Sequence, residues 1–292
     1  MDRLALLAFL RAVSSSFDRL KSILQTNPDL TPANWCEVQP CKKIRIASRE
    51  IILTQPTSTF LVYALGVLTI GAGLYFIVIR GSEIARLWWG ISLLLWGCGA
   101  LLAGTSYQAF AYHIKCAGRQ SCALTSWWEV VYLMFQHVSM NAMLVAVAYS
   151  CTGGSAQMML LVFALVSTVV YVVCTFIGGI VPIKSLITFD LMVWASMPTL
   201  LIFLALNGWR YYTYGDPMDL SLLGTWILLL LSGAVYWLYD ELDITRRLWA
   251  KGKGIWFSQN DVLHVCLIFW VIYITTVVAN RVRDYPLPVI PG

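Results

Sequence analysis

Seven long apolar stretches are the feature of this 292-residue sequence that most limits its fold. About 20 mostly apolar residues are needed for a helix to cross the hydrocarbon core of a bilayer. The composition agrees, because 59% of the residues are hydrophobic and only 12% are charged. We therefore predict an all-α membrane protein, a seven-transmembrane helix bundle, with spans at Pro56–Ile79, Leu87–His113, Trp127–Cys151, Ala156–Val181, Leu186–Leu206, Leu220–Leu238 and Val262–Ala279.

Two shorter segments flank this predicted bundle, which covers residues 56–280. Within residues 1–55, apolar side chains recur every three or four positions up to about residue 25, which predicts an N-terminal amphipathic helix followed by a basic linker. That helix either lies on the membrane surface or caps the bundle without a lipid role. Residues 281–292 form a short C-terminal tail.

The distribution of charge predicts the orientation of the chain. Of the 20 Lys and Arg residues, 15 lie on the side of the N-terminus. The positive-inside rule then places the N-terminus in the cytoplasm and the C-terminus outside, in the plasma membrane or, in a bacterium, the inner membrane. The basic loops suit anionic lipid headgroups, whereas nucleic-acid binding is not expected.

The cysteines outside the spans bear on the same question. The pairs Cys36/Cys41 and Cys116/Cys122 fall in loops on the side predicted to be cytoplasmic. Free thiols are expected there, because the cytosol keeps cysteines reduced. Disulfides at these positions would invert the predicted orientation.

Polar residues open the last predicted span. Asn260, Asp261 and His264 share one helix face, because they are spaced by three and four residues. Polar groups at the mouth of a membrane helix are costly unless they face a partner, a metal or a water-filled cavity. This face therefore predicts a functional cavity.

Other polar residues fall at a similar depth of the predicted bundle. With alternating span directions, they lie in the half nearest the N-terminus, and the opposite half holds almost no comparable group. The sequence thus predicts one polar cavity in that half, and the residues assigned to it beside those of the last span are Ser106, Gln108, Tyr112, His113, Glu129, His137, Asp190 and Asp240.

The chain has only three histidines, His113, His137 and His264, and all lie on this side. Three protein ligands and one open position make a catalytic zinc site, so the histidines are candidate zinc ligands. The alternative is that they are packing residues. His113 lies at the interface, and His137 could bond across helices together with Asn141, four residues on.

These residues resemble those of the membrane hydrolase superfamily that contains the alkaline ceramidases and the progestin/adiponectin receptors. That family has seven helices, with a Ser and a His late in helix two, an Asp near the start of helix three and an HxxxH pair at the start of helix seven. The resemblance implies a zinc ion on three histidines and hydrolysis of lipid amides. It would make His264 the second histidine of the pair, and Glu129 would stand where the family has Asp.

The sequence departs from that pattern at two ligand positions. The first histidine of the pair would fall on Asn260, or on Gln259 in a related bacterial pattern, and Gln108 stands where a histidine of span two is expected. Amides are poor zinc ligands. Either His113 and His137 substitute from shifted positions, or the metal is absent.

Three functions follow from these observations. The first is a zinc-dependent lipid amide or ester hydrolase, in which Ser106 polarises the water or substrate and Asp261 or Glu129 acts as general base. The second is a metal-free lipid-binding or receptor-like protein of the same fold. The third is a proton or cation transporter whose path is lined by Asp190, Glu129 and the acids at the end of span six, Asp240 and Asp243. Retinal is not expected, because span seven lacks a lysine, and no nucleotide or heme motif is present.

Overall fold

The computed structural model describes residues 22–23, 25–46, 49–249 and 254–286. Within these ranges, seven helices are long and apolar enough to cross a membrane, so the chain is an integral multi-pass membrane protein. The predicted amphipathic helix lies almost wholly outside the described residues. The seven helices, labelled in chain order, are α1 Pro56–Val78, α2 Ile84–Ala109, α3 Trp127–Cys151, α4 Gly154–Ile180, α5 Phe189–Tyr214, α6 Pro217–Glu241 and α7 Gln259–Val278.

The second and fifth predicted spans differ most from the observed helices, at their C-terminal ends. Helix α5 continues to Tyr214, whereas the predicted span ended at Leu206, because the polar residues Asn207 and Arg210 are buried within the helix. Helix α2 ends at Ala109 in a π-helical turn, Gly104–Ala109, rather than at His113. His113 belongs to a separate short helix, Ala111–Lys115.

Six of the helices form a ring. In order around it, α1 packs on α2, α2 on α3, α3 on α5, α5 on α6, α6 on α7, and α7 again on α1, whereas α4 packs against the outside of α3. Helices α1 and α2 approach closely through glycines, since a Cβ built at Gly97 would lie 2.7 Å from the carbonyl oxygen of Gly66. Small residues permit such close backbone contact in membrane bundles.

The basic linker before α1 folds into a hairpin, which the sequence analysis did not foresee. Strands β2 (Cys41–Ile46) and β3 (Arg49–Thr54) pair antiparallel. A second small ladder joins β1 (Thr26–Asn27) to β4 (Cys122–Ala123), in the connection between α2 and α3. The ends of α2 and α3 on the N-terminal side of the bundle, here called the hairpin side, are therefore covered by extended chain.

Both cysteine pairs outside the helices form disulfides, Cys36–Cys41 and Cys116–Cys122. The expectation of free thiols is therefore wrong. In the first pair the Cα atoms are 5.5 Å apart, within the range that a disulfide bridges. The other four cysteines, all within membrane helices, are free.

The C-terminal segment closes the opposite end of the bundle, here called the tail side. The Asp284 carboxylate accepts hydrogen bonds from the backbone N–H groups of Ile84 and Ala85 at the start of α2, at 2.9 and 2.7 Å. It thus satisfies helix N-terminal donors that have no partner within their helix. The Tyr285 N–H donates to the Tyr149 carbonyl of α3 at 2.7 Å. The described residues that follow α7, up to residue 286, are therefore part of the fold.

Candidate functional site

A cavity of about 550 Å³ lies inside the ring, in the half nearest the hairpin side. Helices α1, α2, α3, α5, α6 and α7 all contribute to its wall. Its lining is largely apolar, and most of its polar side chains come from α3, α5 and α7. The polar side chains in the wall are Tyr132, Gln136, Asp190, Ser196, Tyr236 and His264.

Differences in side-chain size explain why the space lies in this half. On the tail side, Trp226 stacks between Phe203 and Trp89, with ring centroids 4.0 and 5.7 Å away. On the hairpin side, α6 carries small residues instead, and a Cβ built at Gly233 would meet no atom within 4 Å. Large rings thus fill one half of the ring of helices, whereas the other half remains open.

The cavity is bordered by exposed tryptophans of α5 and α6. Trp194 and Trp237 both line it, and they are 72% and 62% exposed. Since α5 and α6 span the membrane, exposed apolar side chains there face lipid. Pro198, inside α5, has no N–H to donate to the carbonyl of Trp194 four residues earlier. The wall between α5 and α6 is therefore the part of the cavity that borders the lipid.

His264 of α7 is the cavity residue with the clearest unmet bonding capacity. Its Nδ1 is enclosed and has no hydrogen-bond partner among the described residues. An enclosed N–H without an acceptor is more costly than an unpaired lone pair, so the proton belongs on the other ring nitrogen, Nε2. In that tautomer, the ring can donate a hydrogen bond to a bound molecule through Nε2–H.

Asp190 lines the cavity from the first turn of α5, where a carboxylate is favoured by the helix dipole. It is exposed, and within the described part of the chain no side chain pairs with it. The carboxylate is therefore free to accept a hydrogen bond or attract a cation.

Both ring nitrogens of His137, in contrast, already have hydrogen-bond partners. Its Nδ1 lies 3.0 Å from the Ser196 hydroxyl of α5, and its Nε2 lies 3.1 Å from the Ser167 hydroxyl of α4. The Asn141 amide donates to His137 Nε2 at 3.0 Å and to the Thr168 hydroxyl, also at 3.0 Å. The alternative interpretation of this histidine, as a residue that bonds across helices, agrees with these contacts.

His113 lies at the hairpin, away from the cavity lining. Its Nε2 accepts a hydrogen bond from the Ile52 N–H of β3 at 2.9 Å. The neighbouring Tyr112 packs edge-to-face on Trp35, with the ring centroids 6.3 Å apart. Both residues fix the linker to the short helix after α2.

The residues predicted for catalysis make structural contacts. Ser106 donates to the Leu102 carbonyl at 3.0 Å, within its own helix. Glu129 pairs with Lys115, with 2.8 Å between Oε1 and Nζ. Asp261 caps its own helix: its Oδ2 accepts from the Ser258 N–H at 2.6 Å.

Among the described residues, no group of three His, Cys, Asp or Glu side chains could hold a metal ion. The donors seen here do not fit a three-histidine zinc site, because His113 and His137 bond elsewhere and His264 alone faces the cavity. The roles predicted for zinc and for the catalytic residues stay predictions.

Of the amides predicted at ligand positions, Gln108 is buried in the π-helical turn, and its Oε1 has no described partner. Gln259 accepts from the Thr245 hydroxyl at 3.1 Å. Asn260 and Asp240 line a second pocket, of about 400 Å³, between the ends of α6 and α7. The three amides therefore lie at helix ends or at this pocket and do not line the cavity.

The tail-side half contains a buried ion pair, although almost no charge was predicted there. Arg210 Nε donates to both carboxylate oxygens of Asp219, at 3.1 and 3.0 Å. The Asn207 amide donates to the same carboxylate at 2.9 Å, and its oxygen accepts from Trp226 Nε1, also at 2.9 Å. The signal in the sequence was the spacing of Asn207 and Arg210, three residues apart on one helix face.

The seven-helix region coincides with a recognised family. The model of DUF6962, a family of unknown function, matches residues 58–282, which is most of the chain and nearly the whole bundle. The chain therefore belongs to this family. No curated protein and no solved structure matches the chain.

Proposed function

We propose that this protein binds an apolar or amphipathic lipid-like molecule that enters its cavity from the bilayer between α5 and α6. The observation that carries the proposal is the largely apolar cavity of about 550 Å³ bordered by exposed tryptophans of these two helices. Binding sites for small molecules are concave, mostly apolar and supplied with a few polar groups that fix orientation.

The polar groups suit one end of an amphipathic ligand. His264 and Asp190 stand near the ends of α7 and α5 on the hairpin side, five residues and one residue after the first residue of each helix. The donor Nε2–H of His264 can bond a ligand oxygen, while the apolar wall takes the chain. The unpartnered state of His264 supports this assignment, because isolated polar groups in membrane helices are costly. The exposed carboxylate of Asp190 adds a free acceptor at the same cavity.

The resemblance to ceramidases and progestin/adiponectin receptors leads to the same kind of ligand. Of the functions that it allows, metal-free lipid binding has the better support, because Ser106, Glu129 and Asp261 make structural contacts. The proposed binding does not require a metal ion.

A photoreactive palmitate analogue, offered to the full-length protein in lipid nanodiscs, tests the proposal. We expect cross-links to map to the cavity walls of α5 and α6. Gly233→Trp, which places an indole at the cavity wall, should abolish most of this labelling. Gly71→Trp is a matched control, because Gly71 is also a helical glycine whose Cβ would meet nothing within 4 Å, and it does not line the cavity.

Equal labelling of both variants and the original protein would contradict the proposal. The same samples can be analysed for zinc and for hydrolysis of a ceramide. About one zinc per chain that is lost on His264→Ala, together with cleavage of the amide, would favour the hydrolase instead.

For the orientation, we propose that the hairpin side faces an oxidising compartment. The excess of Lys and Arg on that side predicts the cytoplasm, whereas the two disulfides on the same side do not persist in a reducing cytosol. The disulfides carry more weight, because the four cysteines outside the helices are paired and the four inside them are free. Compartment-specific reporters fused after residue 292 would read in the cytosol if this orientation holds.

A further inference from the structure

The second pocket, here called the outer pocket, lies at the hairpin-side end of α6 and α7. Its volume is about 400 Å³. In contrast to the cavity, its wall is rich in polar and aromatic groups, and the residues that decide its chemistry are Tyr239, Asp240, Asp243, Arg246, Trp249 and Trp256.

The aromatic residues form an angular wall. The rings of Trp249 and Trp256 lie at 87° to each other, with centroids 5.6 Å apart. The hydroxyl of Tyr239 donates to the Phe257 carbonyl at 2.8 Å, which fixes the orientation of a third ring. Aromatic faces carry partial negative charge, and several of them around one space bind quaternary ammonium groups.

The charges in the outer pocket favour the same ligand. The carboxylate of Asp243 is neutralised by Arg246, at 2.6 Å. Asp240 lines the pocket, and none of the described side chains forms an ion pair or hydrogen bond with it. The described wall therefore has one uncompensated negative charge in the same pocket as its indole rings.

The outer pocket is next to the cavity along two helices. On α7, Asn260 lines the outer pocket and His264 lines the cavity, one helical turn or about 6 Å apart. On α6, Trp237 lines the cavity and Asp240 lines the outer pocket, three residues apart. A ligand with a headgroup and a chain could therefore use both.

We propose that the outer pocket binds a quaternary ammonium group of the choline type, whose chain, in a lipid, occupies the cavity. Cation–π contacts with Trp249 and Trp256 and the charge of Asp240 hold the headgroup. The chain part of this inference rests on the proposed function, whereas the headgroup part does not. The same chemistry could come from a choline lipid or from a free choline-like cation.

Two photoreactive lysolipids that differ only in the headgroup, phosphocholine or phosphoglycerol, test the inference on the full-length protein in nanodiscs. We expect the choline form to label the protein about tenfold more strongly, which is the effect of one or two cation–π contacts and a nearby carboxylate. Asp240→Asn and Trp256→Leu should remove this preference. Glu241→Gln should keep it, because this neighbouring exposed acid does not line the pocket.

A titration with tetramethylammonium separates the two sources, with Trp fluorescence as the readout. Saturable quenching that Asp240→Asn removes, without a headgroup preference among the lysolipids, would identify a free cation as the ligand. Equal labelling by both lysolipids together with no tetramethylammonium binding would overturn the inference and leave the proposed function intact. If the original protein is not labelled by the palmitate analogue but still binds tetramethylammonium through Asp240, the proposed function is overturned and the headgroup site is kept.

Discussion

Two carboxylates of neighbouring helices, Asp219 in α6 and Asp190 in α5, have opposite surroundings at the two ends of the bundle. Asp219, on the tail side, is fully buried and accepts hydrogen bonds from Arg210 and Asn207. Asp190, on the hairpin side, lines the cavity and has no partner among the described side chains. A charge with its bonds satisfied holds the helices together, whereas one without partners at a cavity is available to a ligand.

The largest expected effect comes from breaking the tail-side pair. Asp219→Ala leaves the Arg210 guanidinium, itself only 7% exposed, without its counter-charge. Removal of one partner of a buried pair costs about 3–5 kcal/mol, so the variant should unfold at a clearly lower temperature in detergent. The thermal midpoint, followed by tryptophan fluorescence, measures the loss.

Asp190→Asn is the matched control on the hairpin side. This change should alter the free energy of unfolding by less than about 1 kcal/mol, because no bond is lost. Equal destabilisation by Asp219→Ala and Asp190→Asn would show that the two carboxylates do not differ in structural role.

The positions of the helices could be read from the sequence, because apolar length is a local property. The third predicted span, Trp127–Cys151, agrees with α3 at both ends. The fifth predicted span ended at Leu206, before the polar residues Asn207 and Arg210. Arg210 can stay inside a helix only because Asp219 pairs with it, and no local pattern shows that partner.

The sequence predicted the half of the bundle in which the candidate site lies, but not which side chains point into it. The sequence placed the three histidines in the hairpin-side half, and the cavity lies in that half. Which way each helix face points depends on the neighbouring helices. His137 points to serines of α4 and α5, and His113 to the backbone of β3, so only His264 reaches the cavity.

The hairpin side also has a buried ion pair, and its removal tests whether buried charges stabilise both ends of the bundle. Glu129 is 1% exposed and pairs with Lys115, whose ammonium also lies 5.0 Å from the centre of the Tyr107 ring. Glu129→Gln should cost about 2–3 kcal/mol, because the ammonium loses its counter-charge near the membrane boundary.

The double variant Lys115→Met/Glu129→Met should recover most of that loss, since two apolar side chains replace two charges. A double-mutant cycle on the thermal midpoint measures the coupling between the residues. A double variant that is less stable than Glu129→Gln would show that the two charges stabilise this end beyond compensating each other.

Among the contacts to be broken, the smallest loss of stability is expected for the disulfides, which are present at the hairpin side and absent among the described residues of the tail side. Each closes a short loop, with 5 and 6 residues of sequence separation, so loop-closure entropy gives about 2 kcal/mol for each. Cys36→Ala/Cys41→Ala and Cys116→Ala/Cys122→Ala should therefore lower the free energy of unfolding by similar, modest amounts. Amide hydrogen exchange should rise in β2 and β3 in the first variant, while the Tyr285 amide, bonded to Tyr149 at the tail side, stays protected. Maleimide labelling of intact cells gives the chemical control for the disulfides. Cysteines that react with maleimide only after a reductant has been added are disulfide-bonded in the membrane of the cell. Immediate labelling of all four cysteines would remove the basis for an oxidising hairpin side and return the orientation to the one that the positive charges predict.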